Sequence, residues 1–93
     1  MLRPLAGLEL RLTLAKLGPM NPGLAQVWRT PERSEGVQGE PFTVLGSNGS
    51  SLWFALAEDG SVHLVDDVER ELGARIFPTV DAFAEELRRQ NGR

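Results

Sequence analysis

The most regular pattern of apolar and polar positions lies at residues 51–66, where two apolar runs, 52–57 and 62–65, flank the polar tripeptide 58–60. This pattern predicts a β-hairpin. Two registers are open, one with a loop of two residues and one with a loop of three. A three-residue loop normally ends on a left-handed residue, and Gly60 suits that position because it has no Cβ.

Burial favours the three-residue loop, because it gathers the larger apolar side chains on one face, whereas the two-residue loop scatters them. The gathered side chains are Leu52, Phe54, Leu56, Val62 and Leu64. The opposite face then carries Trp53, Ala55, Ala57, Ser61, His63 and Val65. One interpretation is that a loop or the N-terminal segment covers Trp53, since large apolar patches are rarely left open. The other is a binding face centred on Trp53 and His63.

Residues 8–14 carry leucine at every second position. As a strand, this segment would place Leu8, Leu10, Leu12 and Leu14 on one face. As a helix, it would carry two opposed leucine stripes, which suits a helix buried on both sides. A small domain can rarely bury a helix in that way, so we favour a strand. Because leucine is also a good helix former, the helix stays open as the alternative.

The remaining elements are short and are separated by turn-forming residues. Strands are expected at 24–29 and 42–45, loops at 18–23, 30–41 and 46–51, a turn of helix at 68–74 and an extended piece at 75–77. The segment 30–41 is polar and rich in turn formers. We therefore expect it to be an exposed loop, although it is long for a purely passive connection.

The last predicted element is a helix at about 80–90. Thr79 is a suitable N-cap and Gly92 a suitable end. An acid in the first turn and two arginines in the last complement the helix dipole. The apolar stripe of this helix consists of Val80, Phe83, Ala84 and Leu87, spaced i, i+3, i+4 and i+7.

These elements predict a single domain over residues 1–93, of α+β class. A small antiparallel β-sheet would form around the central hairpin at 51–66, with the C-terminal α-helix at about 80–90 packed on one face. A chain of 93 residues buries only about 60–65% of its unfolded surface. The core is therefore expected to be small, and dimerisation would be one way to bury more.

Composition narrows the class of protein. The chain has no cysteine, which excludes disulfides and thiolate chemistry and makes a small secreted scaffold less expected. Charged residues interrupt the N-terminal apolar run, unlike a signal peptide, and no window is apolar over the length of a membrane span. We expect a cytoplasmic bacterial protein. The nine arginines against one lysine are typical of a GC-rich genome.

The net charge of −3 is unevenly distributed. Residues 1–57 carry +1, residues 58–86 carry −7, and the last seven residues carry +3. Nucleic acid is not an expected partner, because phosphate binding needs clustered positive charge. The acidic block could steer a basic protein toward this surface. It could equally be an ordinary solvated face.

No catalytic or metal-binding pattern stands out. The glycine-serine loop at 46–51 lacks the lysine and the following helix of a phosphate-binding loop. Asp66 and Asp67 are adjacent, so on a strand their side chains point to opposite faces. His63 is the only histidine, and a metal site needs more ligands than it can supply. We expect no metal, no cofactor and no enzymatic activity.

Residues 42–90 resemble the C-terminal half of the SUKH superfamily. The resemblance is carried by a strand, a Gly-x-Val hairpin, an aspartate that ends the next strand, and a Thr-x-x-x-Phe helix. In this chain these are residues 53–57, Gly60-Ser61-Val62, Asp66, and Thr79 with Phe83 and Leu87. Residues 1–41 carry neither the Leu-Pro motif nor the Asn-Gly turn of typical members.

The resemblance implies an α+β domain whose sheet is backed by helices. It also implies a non-catalytic role, since many bacterial members are thought to be immunity proteins that bind and neutralise a toxin, often a nuclease. Fungal relatives are regulatory and linked to cell-wall synthesis.

We therefore expect a non-catalytic protein-binding domain, of the immunity type, that neutralises a basic toxin such as a nuclease. The expected partner-binding residues are Trp53, His63, Asp66, Asp67, Glu69 and Glu71. The alternative is a small self-associating structural or regulatory domain. In that case the strand at 8–14 or the face around Trp53 would form a homodimer. Neither hypothesis involves nucleic acid or a membrane.

Overall fold

A computed structural model describes residues 2–14, 23–36 and 40–92. The strands are β1 (Glu9–Leu12), β2 (Gly23–Ser34), β3 (Phe42–Ser47), β4 (Leu52–Ala57), β5 (Val62–Asp66) and β6 (Leu72–Phe77). A short 3-10 turn, Arg3–Leu5, precedes β1, and the helix α1 spans Val80–Asn91. The expected loop at 18–23 falls mostly outside the described residues, and its last residue, Gly23, begins β2.

The six strands form one sheet in which each strand pairs with its neighbours in sequence, in the order β1-β2-β3-β4-β5-β6. Every pairing is antiparallel. The helix α1 packs on one face of this sheet, and its main contacts are with β1 and β6. The α+β class with a C-terminal helix on an antiparallel sheet is thereby confirmed.

The central hairpin has the three-residue loop. Phe54 pairs with Leu64, and Leu56 pairs with Val62. Gly60 has φ of +90°, the left-handed conformation that the third loop residue requires. The register therefore places the larger apolar side chains on the face that α1 covers, as burial predicted.

Residues 8–14 include a strand, as the leucine alternation predicts. Leu10, Leu12 and Leu14 are buried in the core beneath α1, while the residues between them are exposed. The neighbouring strand β2 is longer than the predicted 24–29, because it continues to Ser34, and Glu32, Arg33 and Ser34 pair with β3. The prediction of a loop was wrong for residues 30–34. Their side chains are nearly all exposed, so backbone pairing forms a strand that no apolar pattern marks.

The predicted turn of helix at 68–74 is also wrong in its second half. Residues 72–74 belong to β6, which pairs with β5. Arg70 has φ of +54°, and this left-handed residue ends the turn before the strand. At Gly73, a Cβ would lie 2.8 Å from the carbonyl oxygen of Leu64, so the close approach of β6 to β5 requires glycine. The extended piece predicted at 75–77 is confirmed as the end of β6.

A smaller apolar cluster lies on the face of the sheet opposite α1. Its buried members are Phe42, Val44, Ala55 and Val65, with Trp28, Trp53 and Leu72 packed against it. The rings of Trp28 and Trp53 meet edge to face, with centroids 6.3 Å apart. A tryptophan of β2 therefore packs against Trp53 and partly covers it.

Phe83 anchors α1 to the sheet. Its ring lies 5.4 Å from the ring of Phe54 and 5.4 Å from that of Phe77, and it is 1% exposed. The predicted caps are confirmed, since the Thr79 hydroxyl accepts a hydrogen bond from the backbone N–H of Ala82 at 3.0 Å. Gly92 ends the helix with φ of +68°.

The C-terminal end of α1 is bound to the outer edge of β1. The Asn91 amide accepts from the N–H of Arg11 at 2.9 Å and donates to its carbonyl oxygen at 2.8 Å. The Gln90 amide accepts from the N–H of Thr13 at 2.6 Å and donates to its carbonyl oxygen at 2.9 Å. Two side-chain amides thus take the place that a neighbouring strand would occupy.

Replacing Phe83 with alanine would leave a cavity between α1 and the sheet. We expect Phe83→Ala to lower the free energy of unfolding by about 3–5 kcal/mol, a large share of the stability of a small domain. Urea unfolding monitored by circular dichroism measures this change. Glu85→Ala on the exposed side of the same helix should change stability by less than about 0.5 kcal/mol. Equal unfolding midpoints for both variants would show that Phe83 is not part of the core.

Removing both edge-binding amides would expose the outer edge of β1. We expect the double variant Gln90→Ala/Asn91→Ala to unfold at lower urea concentration, because each exposed hydrogen bond contributes about 0.5–1.5 kcal/mol. It should also self-associate with increasing concentration, since an open strand edge pairs with other chains. Sedimentation velocity on this variant and on Glu85→Ala separates the two effects. If the double variant is as stable and as monodisperse as Glu85→Ala, the amides of Gln90 and Asn91 neither stabilise the fold nor protect the edge of β1.

Candidate functional site

The connection between β5 and β6 is a tight turn rich in carboxylates, residues 66–71, called here the acidic turn. The Asp66 carboxylate accepts hydrogen bonds from the backbone N–H groups of Val68, at 2.8 Å, and Glu69, at 3.1 Å. This use of an aspartate side chain to hold a turn is typical of an Asx-turn. The N–H of Asp67 donates to the carbonyl oxygen of Ser51 at 2.9 Å, which fixes the turn to the start of the central hairpin.

Arg70 is the only positive charge in the acidic turn, and it folds back on the protein. Its Nε donates to the carbonyl oxygen of Asp67 at 3.2 Å, and its guanidinium carbon lies 5.7 Å from the centre of the Trp53 ring. Glu69 and Glu71 on either side of it are exposed. The four carboxylates of the turn therefore dominate its outward electrostatic field.

An open groove of about 320 Å³ runs beside the acidic turn. Leu52, Leu64 and Leu72 supply its apolar lining, and Asp66, Glu69 and Glu71 supply its charge. We call this feature the acidic groove. It combines an apolar surface with carboxylates and with no positively charged lining residue. This pairing is what a cationic segment with one apolar side chain would complement.

Val68 stands at the tip of the acidic turn and is 81% exposed. It is the one large apolar side chain of the described residues that is so exposed. Isolated exposed apolar residues are common on protein surfaces. Here the residue stands between Asp67 and Glu69 in the acidic turn, so the turn carries one exposed apolar side chain among its carboxylates.

His63 is engaged in hydrogen bonds inside the protein. Its Nδ1 lies 3.0 Å from the carbonyl oxygen of Gly73, and its Nε2 lies 2.9 Å from the Ser61 hydroxyl oxygen. The Ser61 hydroxyl in turn lies 2.5 Å from the Asp59 carboxylate, which also accepts from the Ser61 N–H at 2.9 Å. These contacts link the hairpin loop, β5 and β6. His63 therefore connects β5 to β6 and to the hairpin loop through hydrogen bonds.

Asp59, Ser61 and His63 are the residue types of a serine-protease triad, but their arrangement differs. In a triad the histidine lies between the serine and the aspartate, whereas here the serine lies between the other two. Ser61 is also only 1% exposed, so a substrate has no access to its hydroxyl. The two hydrogen bonds from Ser61, first that of its side chain, hold the pKa of the Asp59 carboxyl below its ordinary value.

The structure brings together only part of the expected partner-binding set. Asp66, Glu69 and Glu71 line the acidic groove, and Asp67 belongs to the same turn without lining the groove. Trp53 and His63 project from the face of the sheet opposite α1, where each has partners within the protein. Three of the six residues therefore share the acidic groove, and Asp67, Trp53 and His63 lie outside its lining.

Sequence reasoning missed the apolar half of the groove. Leu52 and Leu64 were assigned only to the core, and Leu72 to a turn of helix. The alternation of Leu72, Ala74 and Ile76 is a period-two signal that would have indicated β6. This signal is weak because Gly73 and the exposed middle of the strand interrupt the pattern, which explains why residues 72–74 were assigned to a turn of helix.

Two further properties concern residues 2–14, 23–36 and 40–92. Within them, no group of three or more histidine, aspartate or glutamate side chains is placed to hold a metal ion. Nor does that part of the chain contain a helix with the length and apolar character needed to cross a membrane.

Comparison of the chain with protein-family models, with curated proteins and with solved structures gave no match. The similarity to the SUKH superfamily therefore rests on the residues quoted above and stays a prediction.

The hydrogen bonds from Ser61 to Asp59 make a pH-dependent contribution to stability. Because the folded-state pKa of Asp59 is lowered, this contribution is present above the ordinary aspartate value of about 4. It is lost as the pH falls through the folded-state pKa. We expect Ser61→Ala to melt below the wild-type protein at neutral pH. The difference in melting temperature should shrink on acidification below about pH 4.

The control for this experiment is Ser50→Ala, an exposed serine in the neighbouring loop. Its melting temperature should follow that of the wild-type protein across the whole pH range. A gap between Ser61→Ala and wild type that stays constant down to acid unfolding would mean that Ser61 stabilises the hairpin without any contribution from Asp59.

Proposed function

We propose that this chain is a non-catalytic protein-binding domain that takes a basic partner protein on the acidic turn and the acidic groove. The observation that carries the proposal is the placement of three carboxylates, of Asp66, Glu69 and Glu71, around an apolar groove of about 320 Å³. The acidic turn adds the exposed side chain of Val68.

Charge and apolar burial would both contribute to such binding. Opposite charge steers two proteins together and determines which partners are rejected. Burial of apolar side chains in a pocket near the centre of an interface supplies most of the binding free energy. The acidic groove offers both, since Leu52, Leu64 and Leu72 form its apolar lining and Asp66, Glu69 and Glu71 carry its charge. Arg70 does not oppose a basic partner strongly, because its guanidinium lies against Trp53.

The similarity to the SUKH superfamily suggests a narrower class of partner, a toxin that the chain binds and neutralises. Nuclease toxins fit this surface in charge, because a protein that binds phosphates carries clustered lysine and arginine. In such a complex the carboxylates of the acidic turn would occupy positions that the toxin otherwise offers to nucleic acid phosphates.

The alternative, a self-associating domain, has less support in the described residues. The outer edge of β1, one of its two expected surfaces, is already hydrogen-bonded by Gln90 and Asn91. The other expected surface centres on Trp53, which Trp28 and Arg70 partly cover. Neither surface presents the open combination of apolar and charged groups found at the acidic groove.

The test begins with affinity purification of the tagged full chain from its native host, followed by expression of any basic protein that stays bound. Titration of the purified pair by calorimetry then measures affinity in the wild type and in Glu69→Lys/Glu71→Lys. We expect the double reversal to weaken binding by at least about tenfold, because like charges then face the partner. Affinity should also fall with rising salt concentration.

Glu85→Lys is the matched control, since Glu85 is exposed on α1, away from the groove. It should retain the wild-type affinity within about threefold. The toxin proposal adds a second readout, namely that an equimolar amount of wild-type chain abolishes the partner's nuclease activity. Equal affinities for the groove and control variants would overturn the proposed site, and a purified chain without any basic partner would overturn the function.

A further inference from the structure

A second cavity, separate from the acidic groove, lies where α1 begins. It measures about 300 Å³ and is bounded by the Arg3–Leu5 turn, by β2 and by the first residue of α1. Its apolar lining includes Val27, Leu45, Leu56 and Val80. We call it the arginine cleft, after the two charged side chains described below.

A large irregularity in the sheet creates this cleft. Val27 pairs with Gly46, and the next regular pair is Glu32 with Val44, so four residues of β2 lie opposite the single residue Leu45. The extra residues include Pro31, which has no N–H to donate to a ladder. Bulges of this kind are over-represented next to functional sites, where they redirect side chains.

The two strands also meet unusually closely at one end of the bulge. A Cβ on Gly46 would lie 2.2 Å from the carbonyl oxygen of Gln26, so this position requires glycine. Beyond this close approach, the bulge residues Trp28, Arg29 and Pro31 line the cleft together with Leu45. The cavity is thus a consequence of the backbone as well as of side-chain packing.

The charge at the cleft is positive, in a chain whose net charge is −3. Arg3 and Arg29 are among the lining residues, and none of the lining residues is acidic. Arg29 lies over Gly7, where a Cβ would come within 2.8 Å of its Nε. Gly7 has φ of +82°, a conformation that glycine adopts without strain. The absence of a Cβ at Gly7 also leaves room for the Arg29 side chain. The nearest acid along α1, Asp81, follows Val80 and does not line the cleft.

We infer that the arginine cleft binds a small apolar carboxylate, with its hydrocarbon part on Val27, Leu45, Leu56 and Val80 and its carboxylate at the guanidinium groups of Arg3 and Arg29. Arginine is well suited to this role because its planar fork matches a carboxylate in two hydrogen bonds. A volume of about 300 Å³ is at the small end of ligand pockets, so the ligand is a short-chain or single-ring acid. This inference is independent of the proposed partner at the acidic groove.

The probe is sodium octanoate, used below its micelle-forming concentration, with octan-1-ol as the uncharged analogue of equal length. Titration into the full chain, followed by NMR of the methyl groups, reports the site directly. We expect saturable shifts at Val27, Leu45, Leu56 and Val80. The alcohol should bind at least about tenfold more weakly, because it lacks the charge-assisted hydrogen bonds.

Three variants test the residues. Arg3→Gln/Arg29→Gln should weaken octanoate binding by at least about tenfold and leave octan-1-ol unchanged, whereas Arg11→Gln, an exposed arginine on β1, should change neither. Ala6→Leu should fill the cleft and weaken both ligands. If Ala6→Leu does not fold, the Arg3→Gln/Arg29→Gln variant alone tests the inference, because both arginines are exposed and their replacement leaves the core intact.

Several outcomes would overturn the inference. These are equal affinity for the acid and the alcohol, unchanged affinity in the double arginine variant, and shifts at Leu52, Leu64 and Leu72 in place of the cleft. Concentration-dependent shifts of the cleft methyl groups without ligand would show instead that a second copy of the chain occupies the site.

Discussion

The packing of α1 on one face of the six-stranded sheet is the contact on which the rest of the described structure depends. Phe83 lies between the rings of Phe54, from the middle of the sheet, and Phe77, from its last strand. At the other end of the helix, side-chain amides hold the first strand. The helix therefore links both ends of a sheet whose edge strands, β1 and β6, never pair with each other.

Two separate cavities open beside the sheet. The acidic groove opens beside β5 and β6, and the arginine cleft opens where α1 begins. Each cavity also adjoins a pair of strands with a register shift, β5 with β6 and β2 with β3. The two cavities carry opposite charge, because Asp66, Glu69 and Glu71 line the first and Arg3 and Arg29 line the second.

Elements with strong local signals were predictable from the sequence. The loop glycine determines the hairpin register, and the capping threonine together with the apolar stripe determines the helix. The exposed half of β2 and the first three residues of β6 were not predicted, because these segments pair through the backbone while most of their side chains are exposed and carry no apolar pattern. The carboxylates of the candidate site could be predicted from the sequence. The acidic groove could not, because it depends on Leu52, Leu64 and Leu72 meeting across three strands.

The hydrogen bonds between α1 and β1 make the two edges of the sheet unequal. Fibrils grow by strand addition only when every added chain presents a fresh edge to the next. Among the described residues, the amides of Gln90 and Asn91 occupy the β1 edge, whereas β6 pairs only with β5. Two chains that met through β6 would form a symmetric pair with a β1 edge on each outer side. Strand addition through β6 would therefore stop at two chains.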